Sequence, residues 1–449
     1  MDGGGAMHAF HRCGKAGFEK KSNNIAPIRP YRGADPLLSR RFWGGQPGFE
    51  THAVNALPMN CFRVPWSVFW IFLLATLSAA GGEETATKPQ VTRAAVDAAI
   101  RRGVDFLVNH QNADGSWGGP TRTKGINIYA PLPGAHHAFR AGTTGLALSG
   151  LLDVADPRPE VAASMDKAAV WTASELPKLR RADPTTTYNV WGHAYGLRSM
   201  VRLYQHEKDP EEKAKWVRLA QEQVDLADRY EDVYGGWGYL DLDGLATQKP
   251  SGMPTSFTTA TVLLAMAEAR DVMGVKLDDK LVKHSLVSLN LQRTPDFSYV
   301  YAFQHRMYPR IDINRPAGSL ARSQSCNACL RIFGEKAVTD EVLTTWADRF
   351  LNREGFLDMA RKRPVPHDSF FRIAGYFYYY GTYYFTVAAN LLPEEKHGPY
   401  AERLAAILLG RQEQDGSWWD YPLYDYHQAY GTGYALMALA WCRKSLPAD

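Results

Sequence analysis

Cysteine is scarce in this chain, with five in 449 residues, so no disulfide framework holds the fold together. Charge of one sign is also lacking. The formal net charge is +4, but residues 1–80 hold nine Lys/Arg against four Asp/Glu, leaving 42 basic and 43 acidic residues beyond them. No basic stripe remains to track nucleic acid, and none is expected as a partner. Apolar runs are short. One, Pro65-Trp-Ser-Val-Phe-Trp-Ile-Phe-Leu-Leu-Ala-Thr-Leu77, falls short of the roughly 20 residues that span a bilayer.

That run follows Arg63 and ends in Ser78-Ala79-Ala80, a small-x-small cleavage pattern. It reads as an export signal over residues 59–80, in preference to a retained anchor or a buried strand. Residues 1–58 are Gly-rich and aperiodic, as expected of a disordered extension upstream of a start at Met59. A polar linker, 81–92, follows. The expected location is secreted or periplasmic, and peripheral membrane contact is compatible with it. Cleavage would leave Cys326, Cys329 and Cys442.

Aromatics are plentiful: 12 Trp and 23 Tyr favour apolar or carbohydrate ligands over phosphates. One aromatic motif occurs twice. Arg102 to Trp117 and Arg403 to Trp418 share seven of sixteen positions, including Gln111/Gln412 and Asp-Gly-Ser-Trp at both ends. Such repetition means a stacked or closed array of helical hairpins. Between the copies two helix types alternate. Charged amphipathic helices are expected at 93–110, 162–179, 211–230, 278–291, 338–352 and 399–412. Nearly charge-free helices rich in Gly, Ala, Thr and aromatics are expected at 141–153, 189–204, 255–270, 318–333, 371–391 and 428–442. A helix apolar all round is buried on all sides. Six of each predict an all-α (α/α)6 toroid, one domain over 93–445, with Pro131, Pro133, Pro157 and others breaking helices between them. In the motif, Gln serves the unpaired carbonyls of a helix C-terminus, Gly takes positive φ in the turn, and Trp covers the helix end.

On these residues the chain resembles the squalene cyclase and protein-prenyltransferase β-subunit superfamily. Its QW motif, [K/R]-[G/A]-x2-[F/Y/W]-L-x3-Q-x2–5-G-x-W, is matched throughout by Arg102–Trp117, and by Arg403–Trp418 except at Leu404 and Ile407. The resemblance implies a toroid whose inner helices line an isoprenoid-holding cavity. The family's chemistries are missing: there is no D-x-D-D acid, and Asp278-Asp279-Lys-Leu-Val282 fails the D-D-x-x-D magnesium pattern. Of the family's zinc ligands only His427, in Tyr426-His427-Gln-Ala-Tyr430, has a counterpart, since Tyr380-Gly381-Thr382-Tyr383 replaces the D-G-C-Y segment. No metal and no cofactor is therefore expected, and catalysis is left open.

Four constellations carry candidate chemistry. Asp425 and His427, in the run Asp420-Tyr-Pro-Leu-Tyr424-Asp425-Tyr426-His427, could act as an acid/base pair or cap the last inner helix. Asp241 and Asp243 supply paired carboxylates of the kind glycosidic cleavage needs, or form a turn. Tyr376, Tyr380 and Tyr383 share one helix face that could stack on a ligand or pack on neighbours. Cys326-Asn-Ala-Cys329 reads as small buried residues or a redox pair. His136-His137, Tyr188, His193 and Tyr424 are further candidates at the cavity mouth. The expected function is an exported cavity protein for a small apolar, isoprenoid-like ligand. The alternatives are a protein-interaction scaffold, its partner unknown, and an exported carbohydrate-active hydrolase or lyase.

Overall fold

The computed structural model describes residues 91–123, 128–242 and 249–447. The expected extension, leader and most of the linker (residues 1–90) lie outside the described residues, as does Asp243. No described helix is long and apolar enough to cross a membrane. Among the described residues there is no strand, only isolated bridges.

Six helices form an outer wall: α1 (Arg93–Asn109), α3 (Pro159–Glu175), α5 (Pro210–Asp228), α7 (Asp279–Leu291), α9 (Asp340–Asn352) and α12 (His397–Leu409). Six form the inner wall: α2 (Pro133–Val154), α4 (Asn189–His206), α6 (Ser256–Met273), α8 (Leu320–Ile332), α11 (Phe377–Ala389) and α13 (His427–Ser445). A short α10 (Glu354–Ala360) is extra. Around the ring each inner helix packs on the next, and α13 packs on α2. This is the expected (α/α)6 toroid.

Burial separates the two walls. The outer helices bury one stripe, such as Val96, Ile100, Val104 and Leu107 in α1. In α6 every residue from Ser256 to Ala267 is buried. Close approach of inner helices needs missing side chains. A Cβ at Gly145 of α2 would lie 2.5 Å from the Tyr195 carbonyl of α4, so only Gly fits that crossing.

The Trp turns tie the walls together. Trp117, Trp237 and Trp418 are fully buried. Each indole N–H donates to a carbonyl ten residues earlier, at Leu107, Ala227 and Leu408 (2.8, 2.9 and 2.9 Å). Each backbone N–H donates to an inner-helix hydroxyl: Thr144, Thr259 and Thr432. Two of the turns also reach the next repeat. Gln111 Nε2 donates to Ser164 O of α3 at 2.8 Å, and Gln412 Nε2 to Ala99 O of α1 at 2.9 Å. The repeat after the last is the first, so Gln412 and Trp418 close the ring.

Two helix starts differ from expectation. α2 begins at Pro133 rather than near 141, because Pro is pre-organised for the first helical position rather than a breaker there. α11 begins at Phe377, and residues 371–376 lie outside it.

Candidate functional site

The N-terminal halves of the inner helices and the loops before them surround a cavity of about 490 Å³. Trp191 and Tyr195 come from α4, Phe257 from α6, Phe377 and Tyr380 from α11, and Tyr430 and Tyr434 from α13. Loops add Tyr129, Tyr188, Tyr239, His367, Tyr376 and Tyr421. Nine of the 21 lining residues are Tyr, and none is Asp, Glu, Lys or Arg. Among the described residues the wall is therefore aromatic in its faces and hydroxylic in its edges, and it carries no formal charge.

Its hydroxyls are organised. Tyr239 Oη meets Tyr301 Oη, which lies 3.0 Å from Tyr376 Oη, which lies 3.2 Å from His367 Nε2. Deeper in, Tyr195 and Tyr434 share a hydroxyl bond. Tyr380 Oη lies 2.8 Å from Ser325 Oγ. Burial raises the Tyr376, Tyr380 and Tyr434 phenols well above their ordinary range, so all stay protonated. Below this layer Arg198 and Arg202 lie nearer the C-terminal ends of the inner helices, paired with Glu268 and Asp153 at 2.8–3.1 Å.

His367 sits in a strained segment. His367, Phe371 and Arg372 all have positive φ (65°, 56° and 52°), a conformation costly to non-Gly residues and concentrated at functional sites. His367 Nδ1 faces the Arg372 carbonyl at 2.7 Å. Burial pushes its imidazole down to about 4, with nearby Arg322, Arg372 and His305 acting the same way.

The structure brings Tyr188, Tyr376 and Tyr380 together in the cavity wall. Tyr383 lies outside that wall, buried against the Arg198 guanidinium 4.9 Å from its ring. His193 points outward from α4, with Nδ1 2.8 Å from Gln223 Oε1 of α5. Tyr424 adopts φ 46° and places its ring edge-on to His136 at 4.9 Å. Asp425 is exposed, whereas His427 is buried with Nδ1 2.7 Å from the Tyr424 carbonyl. Asp241 is clamped by Arg181 at 2.7 Å and by the Ser251 N–H at 3.0 Å. That clamp fixes the loop carrying Tyr239 and Leu240, which do reach the cavity. His137 faces Glu175 of α3 at 3.4 Å. Cys326, Cys329 and Cys442 are free and buried. Among the described residues no group of three or more His, Cys, Asp or Glu is placed to hold a metal ion.

Sequence reading missed His367, Trp191, Tyr195, Tyr239, Tyr421, Tyr430 and Tyr434. The helical pairs carried a usable signal: Trp191/Tyr195 and Tyr430/Tyr434 are aromatics at i, i+4 early in charge-free helices. Asp420, behind Tyr430, was also passed over. It is fully buried, and burial pushes its carboxyl up to about 6.

No protein-family model matches the chain, and no curated protein matches it in sequence. Solved structures do. The cellobiose 2-epimerase of Spirochaeta thermophila DSM 6192 is 14% identical, with 78% of this chain and 96% of that one covered and a TM-score of 0.51. A family 76 glycoside hydrolase from a bovine Bacteroides thetaiotaomicron strain is 10% identical, with 79% and 78% covered and a TM-score of 0.48. An α-1,6-mannanase of Salegentibacter sp., solved with α-1,6-mannotetrose, is 9% identical, with 77% and 98% covered and a TM-score of 0.46. The chain has the α/α-toroid fold.

Of these, the epimerase is named for a carbohydrate substrate, and the expected isoprenoid-like occupant is overturned. The wall is compatible with this: nine Tyr and His367 give its aromatic faces polar edges, which a hydroxylated ligand can bond and a hydrocarbon cannot.

Proposed function

We infer that the protein is carbohydrate-active and takes one end of a neutral saccharide into the aromatic cavity. The carrying observation is the wall of nine Tyr and one Trp, uncharged among the described residues, around about 490 Å³, a size usual for small-molecule sites. A pyranose has an apolar C–H face and a hydroxylated edge. Aromatic rings match the first, and Tyr hydroxyls match the second without imposing charge. The similarity of fold to a cellobiose 2-epimerase supports the reading. The repeated Gln…Asp-Gly-Ser-Trp turns build the wall, bonding to the neighbouring helices, which leaves the occupant to the inner surface. Hydrolysis by two flanking carboxylates finds neither carboxylate among the described lining residues, so the chemistry proposed for this wall is proton transfer.

The test is titration of the purified chain with neutral mono- to tetrasaccharides of glucose and mannose, followed by calorimetry and Trp fluorescence. Saturable binding of at least one is expected, weakened about tenfold or more in Trp191→Ala, roughly the loss of one buried aromatic contact. Absence of binding across the panel, with the chain folded, overturns the reading.

A further inference from the structure

Two hydroxyls on the cavity wall are each wired to a titratable group. Tyr430 Oη and Asp420 Oδ1 share a hydrogen bond of 2.5 Å, in which a carboxylate accepts from the phenol and a carboxylic acid donates to it and frees the phenol proton for the cavity, and Asp420 Oδ2 accepts from the Tyr379 N–H at 3.0 Å. Because Asp420 is fully buried, the Tyr430 hydroxyl is its route to the cavity. On the other side, Tyr376 Oη lies 3.2 Å from His367 Nε2, and His367 Nδ1 lies 2.7 Å from the Arg372 carbonyl. A carbonyl only accepts, so Nδ1 carries the imidazole proton and Nε2 is the bare acceptor. Tyr421 stands between the two wires. Its ring is edge-on to Tyr376 at 5.4 Å, and its carbonyl is 3.4 Å from Tyr430 Oη. Tyr376, Tyr421, Tyr430 and His367 all line the cavity.

Resting on the reading that a neutral saccharide occupies this cavity, we propose that the two wires open and close the hemiacetal ring of a reducing sugar, interconverting its anomers. The O1–H proton of the sugar passes to Tyr376 Oη as the Tyr376 proton passes to His367 Nε2. The C1–O5 bond breaks while C1=O1 forms. O5 takes the Tyr430 proton, which the protonated Asp420 carboxyl replaces. The open-chain aldehyde then faces one imidazolium and one carboxylate, and closure on either face of C1 returns both protons. This reaction needs only a proton acceptor and a proton donor, the inventory this wall holds. It requires neither a nucleophile nor a redox partner.

The charge states fit. Burial holds the Asp420 carboxyl up at about 6, against the Tyr430 hydroxyl, the Tyr379 N–H and Arg361, which pull it down. Around His367 stand Arg322, Arg372, His305 and the Tyr301 ring, and burial with the cations holds the imidazole down at about 4. Between these values Asp420 is a carboxylic acid while His367 is neutral, the states of a matched acid and base.

Exchange NMR on the anomers of glucose, mannose and cellobiose, with the purified full chain across a pH series, tests the proposal. Anomer exchange faster than in buffer is expected, with a bell-shaped profile peaking near pH ~5. At saturating saccharide, Tyr376→Phe and Tyr430→Phe should each slow it about 100-fold or more. Asp420 acts through Tyr430, so Asp420→Asn should abolish the fall on the alkaline side, which a structural role would not do. If Asp420→Asn fails to fold, Tyr430→Phe cuts the same wire and leaves the carboxyl in place. A bound saccharide with no acceleration, or unchanged rates in both Phe variants, overturns the inference and leaves the binding reading intact. A chain that binds no saccharide overturns both.

Discussion

Replacing Trp418 by Ala tests whether the last turn closes the ring. The indole is fully buried, its N–H donates to Leu408 O at 2.9 Å, and it seats on Gly103 of α1. A Cβ at Gly103 would lie 2.7 Å from the Trp418 ring, so the first outer helix has no side chain where the last turn needs room. Removing a buried Trp costs about 3–5 kcal/mol through lost transfer energy and the cavity left. Orphaning the Leu408 carbonyl adds about 1 kcal/mol. The expected loss, about 4–6 kcal/mol, is a large part of the roughly 5–15 kcal/mol that holds a native protein. Urea unfolding followed by far-UV circular dichroism measures it. Gly103→Leu alone should cost about 1–3 kcal/mol by overpacking. Combined with Trp418→Ala, the Leu enters the vacated space and the two losses no longer add. A coupling of about 1–3 kcal/mol in the double-mutant cycle is expected, and any helix-propensity gain at position 103 cancels within it. Additivity to within about 0.5 kcal/mol would refute the seam argument, because it would mean that ring and glycine do not share a site.

His193 gives a pH signature. Burial pushes its imidazole down to about 4, opposed by its bond to Gln223, whereas the free side chain titrates at 6.5. The folded state therefore binds fewer protons than the unfolded state between those values, and stability falls as pH drops through that window, by about 3 kcal/mol in all. His193→Gln should flatten this acid limb in urea midpoints; parallel profiles for the two proteins would sink the assignment. The cysteines give a chemical one. Burial pushes the Cys326 thiol up to about 12, and Cys329 and Cys442 also lie above the ordinary thiol range. All three should ignore a thiol reagent until denaturant is added. Peptide mapping that finds rapid native-state labelling at any of them would contradict their burial.

The walls of this toroid were legible because they follow periodicity, and the cavity was not, because it follows depth and loop shape. Six charge-free helices between six charged ones could bury themselves only as an inner ring, and Asp-Gly-Ser-Trp announced its turn by residue type. A single helix face, in contrast, does not stay at one level. Tyr376, Tyr380 and Tyr383 share a face, yet seven residues climb about 10 Å along an α-helix. Tyr383 accordingly lies beneath the cavity against Arg198, while Tyr376 lines its wall. His367 was less accessible still. What places it is a short segment with three left-handed residues, none of them glycine, and no sequence rule predicts such a segment. Asp420 shows the remaining gap. It stands two residues after the Trp of the second motif, where a wall residue is expected, and its meaning depends on Tyr430 folding back onto it one helix turn into α13. A buried carboxyl with a hydroxyl between it and the cavity is invisible to any search for exposed acid pairs. Asp241, the more conspicuous carboxylate, is already committed to Arg181. Chemistry here follows which polar groups the packing leaves one bond behind the wall, and that is a property of the closed ring rather than of any segment in it.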